Sequence, residues 1–279
     1  MRVLSLVTAF ALSVTALEAQ WPRQPPPDAA PRPDGGLNID AAAPRTGDGK
    51  LDLSGTWLGG ARDFVAGRRT ADGSVVPGGP TGFSYPGRDV AYTAGTFIAP
   101  LFVFRRTAYG ESIYQRRQAT NSKDNPRGLC LPMGIVQLHT SAGPARYVQT
   151  ARQLIILYEV NGERREIFTD GRPLPANDPQ PWWNGYSVGR WDGDTLVVET
   201  THFRDGGWLD MAGNPLTGAG RITERFRRTS YGRIEVNITV DDATAYEAPF
   251  TVRWNLRLAP DTNLIESVCA ENNRFGRPR

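Results

Sequence analysis

Between residues 153 and 258 the chain alternates apolar and polar residues at a period of two, and the alternating runs are divided by turn signals two or three residues long. A period of two puts every second side chain on one face of a strand, and so short a turn brings the next run back alongside. QLIILYEV (153–160) and ERREIFT (163–169) flank Asn161-Gly162, a pair suited to a turn that needs positive φ at both central residues. GYSVGRW (185–191) and DTLVVETTHF (194–203) flank Asp192-Gly193, and RITERFRRT (221–229) and RIEVNITVD (233–241) flank Ser230-Tyr231-Gly232. Within these runs Ile234, Val236, Ile238 and Val240 share a face. So do Val252, Trp254, Leu256 and Leu258 in TVRWNLRL (251–258), after which a PDTN turn (260–263) leads into LIESVCA (264–270). With a strand at LSGTW and another near 147–152, the pattern predicts an all-β fold: an antiparallel meander of about 8–10 strands closing into a barrel. Residues 97–118 are the one helix candidate, interrupted by Pro100 and Gly110.

The N-terminus reads MRVLSLVTAFALSVTALEA, a positive charge at Arg2 followed by an apolar run and a small residue, Ala19. That is the pattern of a signal peptide over 1–19, too short for a comfortable membrane span. No later run approaches its length, so no transmembrane segment is expected after its removal, and the mature chain is expected in the periplasm or outside the cell. Residues 20–50 are rich in Pro, Ala, Asp and Gly without apolar period, which predicts a disordered linker, with a single barrel domain over 51–279. Cys130 and Cys269 are the only cysteines. In an oxidising compartment two thiols tend to pair, closing a loop worth about 3–5 kcal/mol in the chain-entropy model; two distant free thiols are the alternative. The arginines are spread along the chain and the formal charge is only +3, so no nucleic-acid footprint is seen. Neither the spacing of a zinc site nor a P-loop, dinucleotide fingerprint or nucleophile elbow is present, and no cofactor is predicted.

Candidate chemistry is thin. Asp192-Gly193-Asp194 offers two carboxylates, fewer than a metal site needs, and a hairpin turn accounts for them. Leu196, Val198, Thr200 and His202 share one strand face. If that face points into the barrel, His202 lies at the rim, where an imidazole serves as acid or base; a hydrogen-bonded structural histidine is the plainer reading. Asp210 and Glu224 are the carboxylates that would complete such a site. His139, in the loop-like LHTSAG, is read as solvent-facing or structural. Glu199 faces the other way, toward an arginine such as Arg225 or Arg227. Trp182, Trp183 and Tyr186 precede a strand and Trp208 follows another. With Arg190 and Arg221 they suit stacking on a sugar or flat apolar ligand, unless the rings simply plug the barrel end.

CLPMG (130–134), YEVNGERREIFTDGRPLP (158–175), YSVGRWDGDTLVVETTHF (186–203), WLDMAGNP (208–215), ITERFRR (222–228), VDDATAYEAPFTV (240–252) and ESVCAENN (266–273), in this order, resemble a family of uncharacterised secreted bacterial proteins of the kind common in acidobacteria. The resemblance covers about 130–273 and implies an exported, lipocalin-like (calycin-type) barrel. Gly55-Thr56-Trp57 is similar to the G-x-W that opens the first lipocalin strand. Both family cysteines are present, which adds to the case for a disulfide. The chain departs at Leu174, where relatives often carry His, and over 213–218 (GNPLTG), where they often read GHPHSE. If that His/Glu cluster is a site in the family, most of it is missing here. Three functions are consistent with this reading: a barrel that binds a small apolar or glycan ligand at its mouth, a carbohydrate lyase or hydrolase with an acid–base site at the rim, and a structural protein of the envelope.

Overall fold

In this computed structural model the described residues are 37–59, 104–141, 143–177 and 180–271, together with three two-residue ladders between 64 and 89. The expected signal peptide and linker residues 20–36 lie outside the described residues.

Nine strands close into one barrel: β1 (Gly55–Gly59), β2 (Pro144–Gln149), β3 (Gln153–Tyr158), β4 (Arg164–Phe168), β5 (Tyr186–Asp192), β6 (Thr195–Thr201), β7 (Arg221–Ser230), β8 (Arg233–Asp241) and β9 (Phe250–Leu258). Every strand pairs with its neighbours in sequence, and β9 returns to β1. The meander is therefore as the sequence predicts, with one exception. β4 and β5 run parallel, joined over only Ile167↔Ser187 and Phe168↔Val188. The reason is arithmetic: strand direction cannot alternate all the way round a ring with an odd number of strands. One same-direction pair must remain, and such a pair needs a long crossover, here residues 169–185.

The turns follow their chemistry. Asn161 and Gly162 both lie at positive φ (58° and 60°), as a type I′ turn requires. At the next hairpin Asp192 pairs with Thr195, so the turn residues are Gly193 and Asp194, one place further on than the sequence suggests. Only Gly193 has positive φ, the type II′ pattern. Inward positions carry the core: Trp57, Ile156, Ile167, Val198, Phe226, Val236, Ile238 and Trp254 are all buried. The side chain of Val252 lies outside the described residues. LIESVCA forms no strand; Ile265 and Val268 are exposed, and Cys269 is bonded to Cys130.

Two helices precede β2. α1 (Ala108–Ala119) starts at Thr107, whose hydroxyl accepts from the Gly110 N–H. α2 (Ile135–Thr140) is buried along its visible length from Ile135 to His139, and the His139 ring contacts Tyr158 and Phe226 at inward strand positions. A helix buried on every described face belongs in a core, and here its buried His139 is paired with Glu224. The chain packs on the barrel from upstream of the boundary expected at residue 51. Ile39 and Ala41 carbonyls accept from the Gly232 and Tyr231 N–H groups, and Arg45 grips Asp194 with two hydrogen bonds. This strap is too short to show a period, so composition alone reads it as linker. Beneath it Arg228 stands 4.9 Å from the Trp57 ring and donates to the Asp52 and Tyr231 carbonyls, sealing that end.

No helix among the described residues is long and apolar enough to cross a membrane. Replacing both Cys130 and Cys269 by Ser should lower unfolding stability by about 2–5 kcal/mol, read as a fall in denaturant midpoint with a steeper slope, since the released unfolded chain exposes more surface. An unmoved midpoint would show that the disulfide does not restrain the unfolded chain.

Candidate functional site

The two-residue β4–β5 seam leaves the strands parted on either side of it. Before they meet, Arg164, Arg165 and Glu166 face Trp183, Asn184, Gly185 and Tyr186 across a cleft of ≈ 510 Å³. Its size suits a small ligand. The crossover supplies one wall, and its placement is tight. Trp182 N–H donates to the His202 carbonyl and the Trp182 carbonyl accepts from Arg204 N–H. Gly185 sits at φ +65°, and a Cβ there would meet Thr200 and Phe203 at 2.5 and 2.7 Å, so only glycine lets the crossover lie against β6.

The walls are aromatic. Trp182 is 46% exposed, its ring centroid 6.5 Å from Tyr186, which lies 5.4 Å from Phe168. The polar groups include donors, Arg164 and Arg165, and an acceptor, Glu163. Glu163 takes hydrogen bonds from Met133 N–H (3.0 Å) and Asn184 Nδ2 (3.2 Å), and burial pushes its carboxyl above the ordinary range. Donation to a carboxylate fixes the Asn184 amide, since the flipped form would set oxygen against oxygen. Asn184 Oδ1 is then buried without a hydrogen-bond partner.

At the cleft floor Arg165 and Ser187 lead into a polar centre inside the barrel. Arg165 takes an inward position on β4, and Glu224 one on β7. The guanidinium donates to both Glu224 oxygens, Nη1 at 2.9 Å and Nη2 in a shorter contact, and also to Ser187 Oγ and Thr200 Oγ1. His139 Nε2 reaches Glu224 Oε1 at 2.7 Å. Burial opposes both charges. Their mutual attraction outweighs it, holding the Glu224 carboxyl below the ordinary range and raising Arg165. Glu224 is therefore ionised, and the imidazole N–H is the donor in that contact. Tyr147 and Tyr158 point hydroxyls into the same interior without hydrogen-bond partners. Tyr158 lies beside Arg165, but a guanidinium only donates, so the phenolic proton has no acceptor there. Burial raises both phenols well above their usual range and keeps them protonated.

Of the residues singled out in the sequence, Trp182, Trp183 and Tyr186 come together in the cleft. Trp208 does not: it is 3% exposed, with Arg117 4.5 Å from its ring. Arg190 and Arg221 both lie by Glu199, at 3.9 and 2.8 Å, on the outer wall. Arg225 pairs with Asp192 instead, at 3.1 Å, although it and Arg221 are both diagonal to Glu199, which stands opposite Thr223. His202, Asp210 and Glu224 share no hydrogen bond or ion pair among the described residues. His202 has φ 62°, so the alternation carrying Thr200 inward ends before it, and its Nδ1 meets the Thr201 hydroxyl. Asp210 accepts from the Asn214 backbone and side chain, its carboxyl pushed up to about 6 by burial. Glu224 alone is in the barrel centre. No group of metal-ligating side chains occurs among the described residues. The sequence reading passed over Arg165, although ERREIF signals it: the position that shares a face with Ile167 must turn inward. Asn184, Glu163 and the two tyrosines carried no motif.

Comparison with family models, curated proteins and solved structures returned no match to this chain.

Glu224→Gln leaves the Arg165 charge buried without its counterion and should cost about 3–5 kcal/mol of stability. Because the folded-state pKa of Glu224 is depressed, its contribution is complete above the unfolded carboxylate pKa of about 4.3 and is lost as pH falls through the folded value. Acid unfolding monitored by circular dichroism should therefore show a flatter acid limb in the variant. Tyr147→Phe removes a hydroxyl with no partner and should leave the melting temperature unchanged or raised; a loss above about 1 kcal/mol would show that the hydroxyl is hydrogen-bonded.

Proposed function

We propose that the protein is an exported, lipocalin-like barrel that binds a sugar, the end of a glycan, in the β4–β5 cleft. The observation that carries this is an exposed indole, Trp182, in a cleft that the polar side chains of Glu163, Arg164 and Asn184 also line. A sugar ring has an apolar face that stacks on an aromatic side chain and a rim of hydroxyl donors. The Glu163 carboxyl supplies an acceptor for that rim and the Arg164 guanidinium a donor, both lining the cleft that holds Trp182. Export is supported by the N-terminal sequence and fits a Cys130–Cys269 disulfide. The resemblance to secreted bacterial barrels points the same way.

Binding is the reading favoured over catalysis at the rim, because His202, Asp210 and Glu224 stand apart. Titration calorimetry against a panel of neutral and acidic oligosaccharides tests it. Binding of at least one should quench Trp fluorescence, and Trp182→Ala should weaken it about tenfold or more, with Asn184→Ala costing a similar factor. Unchanged affinity in Trp182→Ala would rule the cleft out.

A further inference from the structure

The seam has a second side. Beyond Phe168, where β4 ends, a further cleft of ≈ 520 Å³ is lined by Thr150, Arg152, Gln153, Phe168, Asp170 and Arg172. It adjoins the first, since Phe168 lines both. The Arg172 guanidinium lies 3.9 Å from the Phe168 ring centroid, and its Nη1 reaches the Tyr186 hydroxyl at 3.3 Å. Aromatic surface thus runs from Trp182 through Tyr186 and Phe168 to Arg172.

The charge of this second cleft is unbalanced. Asp170 accepts from Arg172 Nη2 at 2.7 Å and from Arg152 Nη2 at 3.3 Å. These hydrogen bonds, that from Arg172 foremost, hold its carboxyl below the ordinary range. One carboxylate therefore serves two guanidinium groups and leaves one positive charge over. Arg152 is the loosely held member: its contact is the longer, and its side chain is 80% exposed. A guanidinium that is exposed and only loosely engaged suits a carboxylate arriving from solution. Glu199 is likewise shared by Arg190 and Arg221, but neither of those arginines lines the two clefts.

Resting on the sugar reading, we propose that the ligand is an acidic oligosaccharide, a chain of uronic-acid type. One residue stacks at Trp182, and a carboxylate further along meets Arg152 and Arg172. The groove accordingly selects for chain length as well as charge, because a single sugar cannot occupy both clefts.

The test compares hexagalacturonate with cellohexaose, and with galacturonate monomer, on the full chain by calorimetry at low and at physiological salt. The expected result is tighter binding of the acidic hexamer than of the neutral hexamer or the monomer, by about tenfold at low salt, with the advantage shrinking as salt rises. Arg152→Gln, exposed enough to leave folding alone, should remove most of that advantage. Equal binding of the two hexamers, or an Arg152→Gln variant that keeps the preference, overturns this proposal while the sugar reading stands. Binding of none of the three overturns it, and binding of no sugar in the wider panel removes the sugar reading as well.

Discussion

Strand direction in a closed ring of nine cannot alternate throughout, and the rest of this molecule follows from where the leftover parallel pair falls. An antiparallel neighbour can be reached by a two-residue turn; a parallel one demands that the chain travel back the length of the strand. The crossover over 169–185 makes that journey and ends in Trp182, Trp183 and Asn184. The same pair has the shortest ladder among the barrel's strands, two residues. The gap in the wall is thus a consequence of one topological constraint, and the residues the crossover brings to it, Trp182, Trp183 and Asn184, line it.

The interior shows the complementary compromise. A charged centre at Arg165 and Glu224 sits where apolar side chains would pack at less desolvation cost. It is tolerated because Ser187, Thr200 and His139 complete its hydrogen bonds. The unmatched phenols of Tyr147 and Tyr158 are not so completed. Buried groups of this kind make the core costlier than a barrel needs for stability alone.

Much of the fold was legible in the sequence because period two and short turns are local signals. Asn161-Gly162 announced its turn, and Ile234, Val236, Ile238 and Val240 announced an inward face. The parallel pair was not legible, since direction depends on the total number of strands and no residue in 169–185 encodes it. α2 escaped because six residues give too little helical period to read. At the site, the tryptophans stood out by type, whereas Asn184, Glu163, Arg152 and Arg172 acquire meaning only from the gap beside them. His202 and Asp210 looked like partners along the chain; a left-handed residue at 202 and a turn around Asp210 send them elsewhere.

The claim that the seam is the binding site is tested most directly by amide chemical-shift mapping with ¹⁵N-labelled protein and hexagalacturonate. The account predicts perturbations confined to the two clefts, at residues 150–153, 161–172 and 182–187. Shifts centred instead on β7 to β9, on the opposite wall, would contradict it.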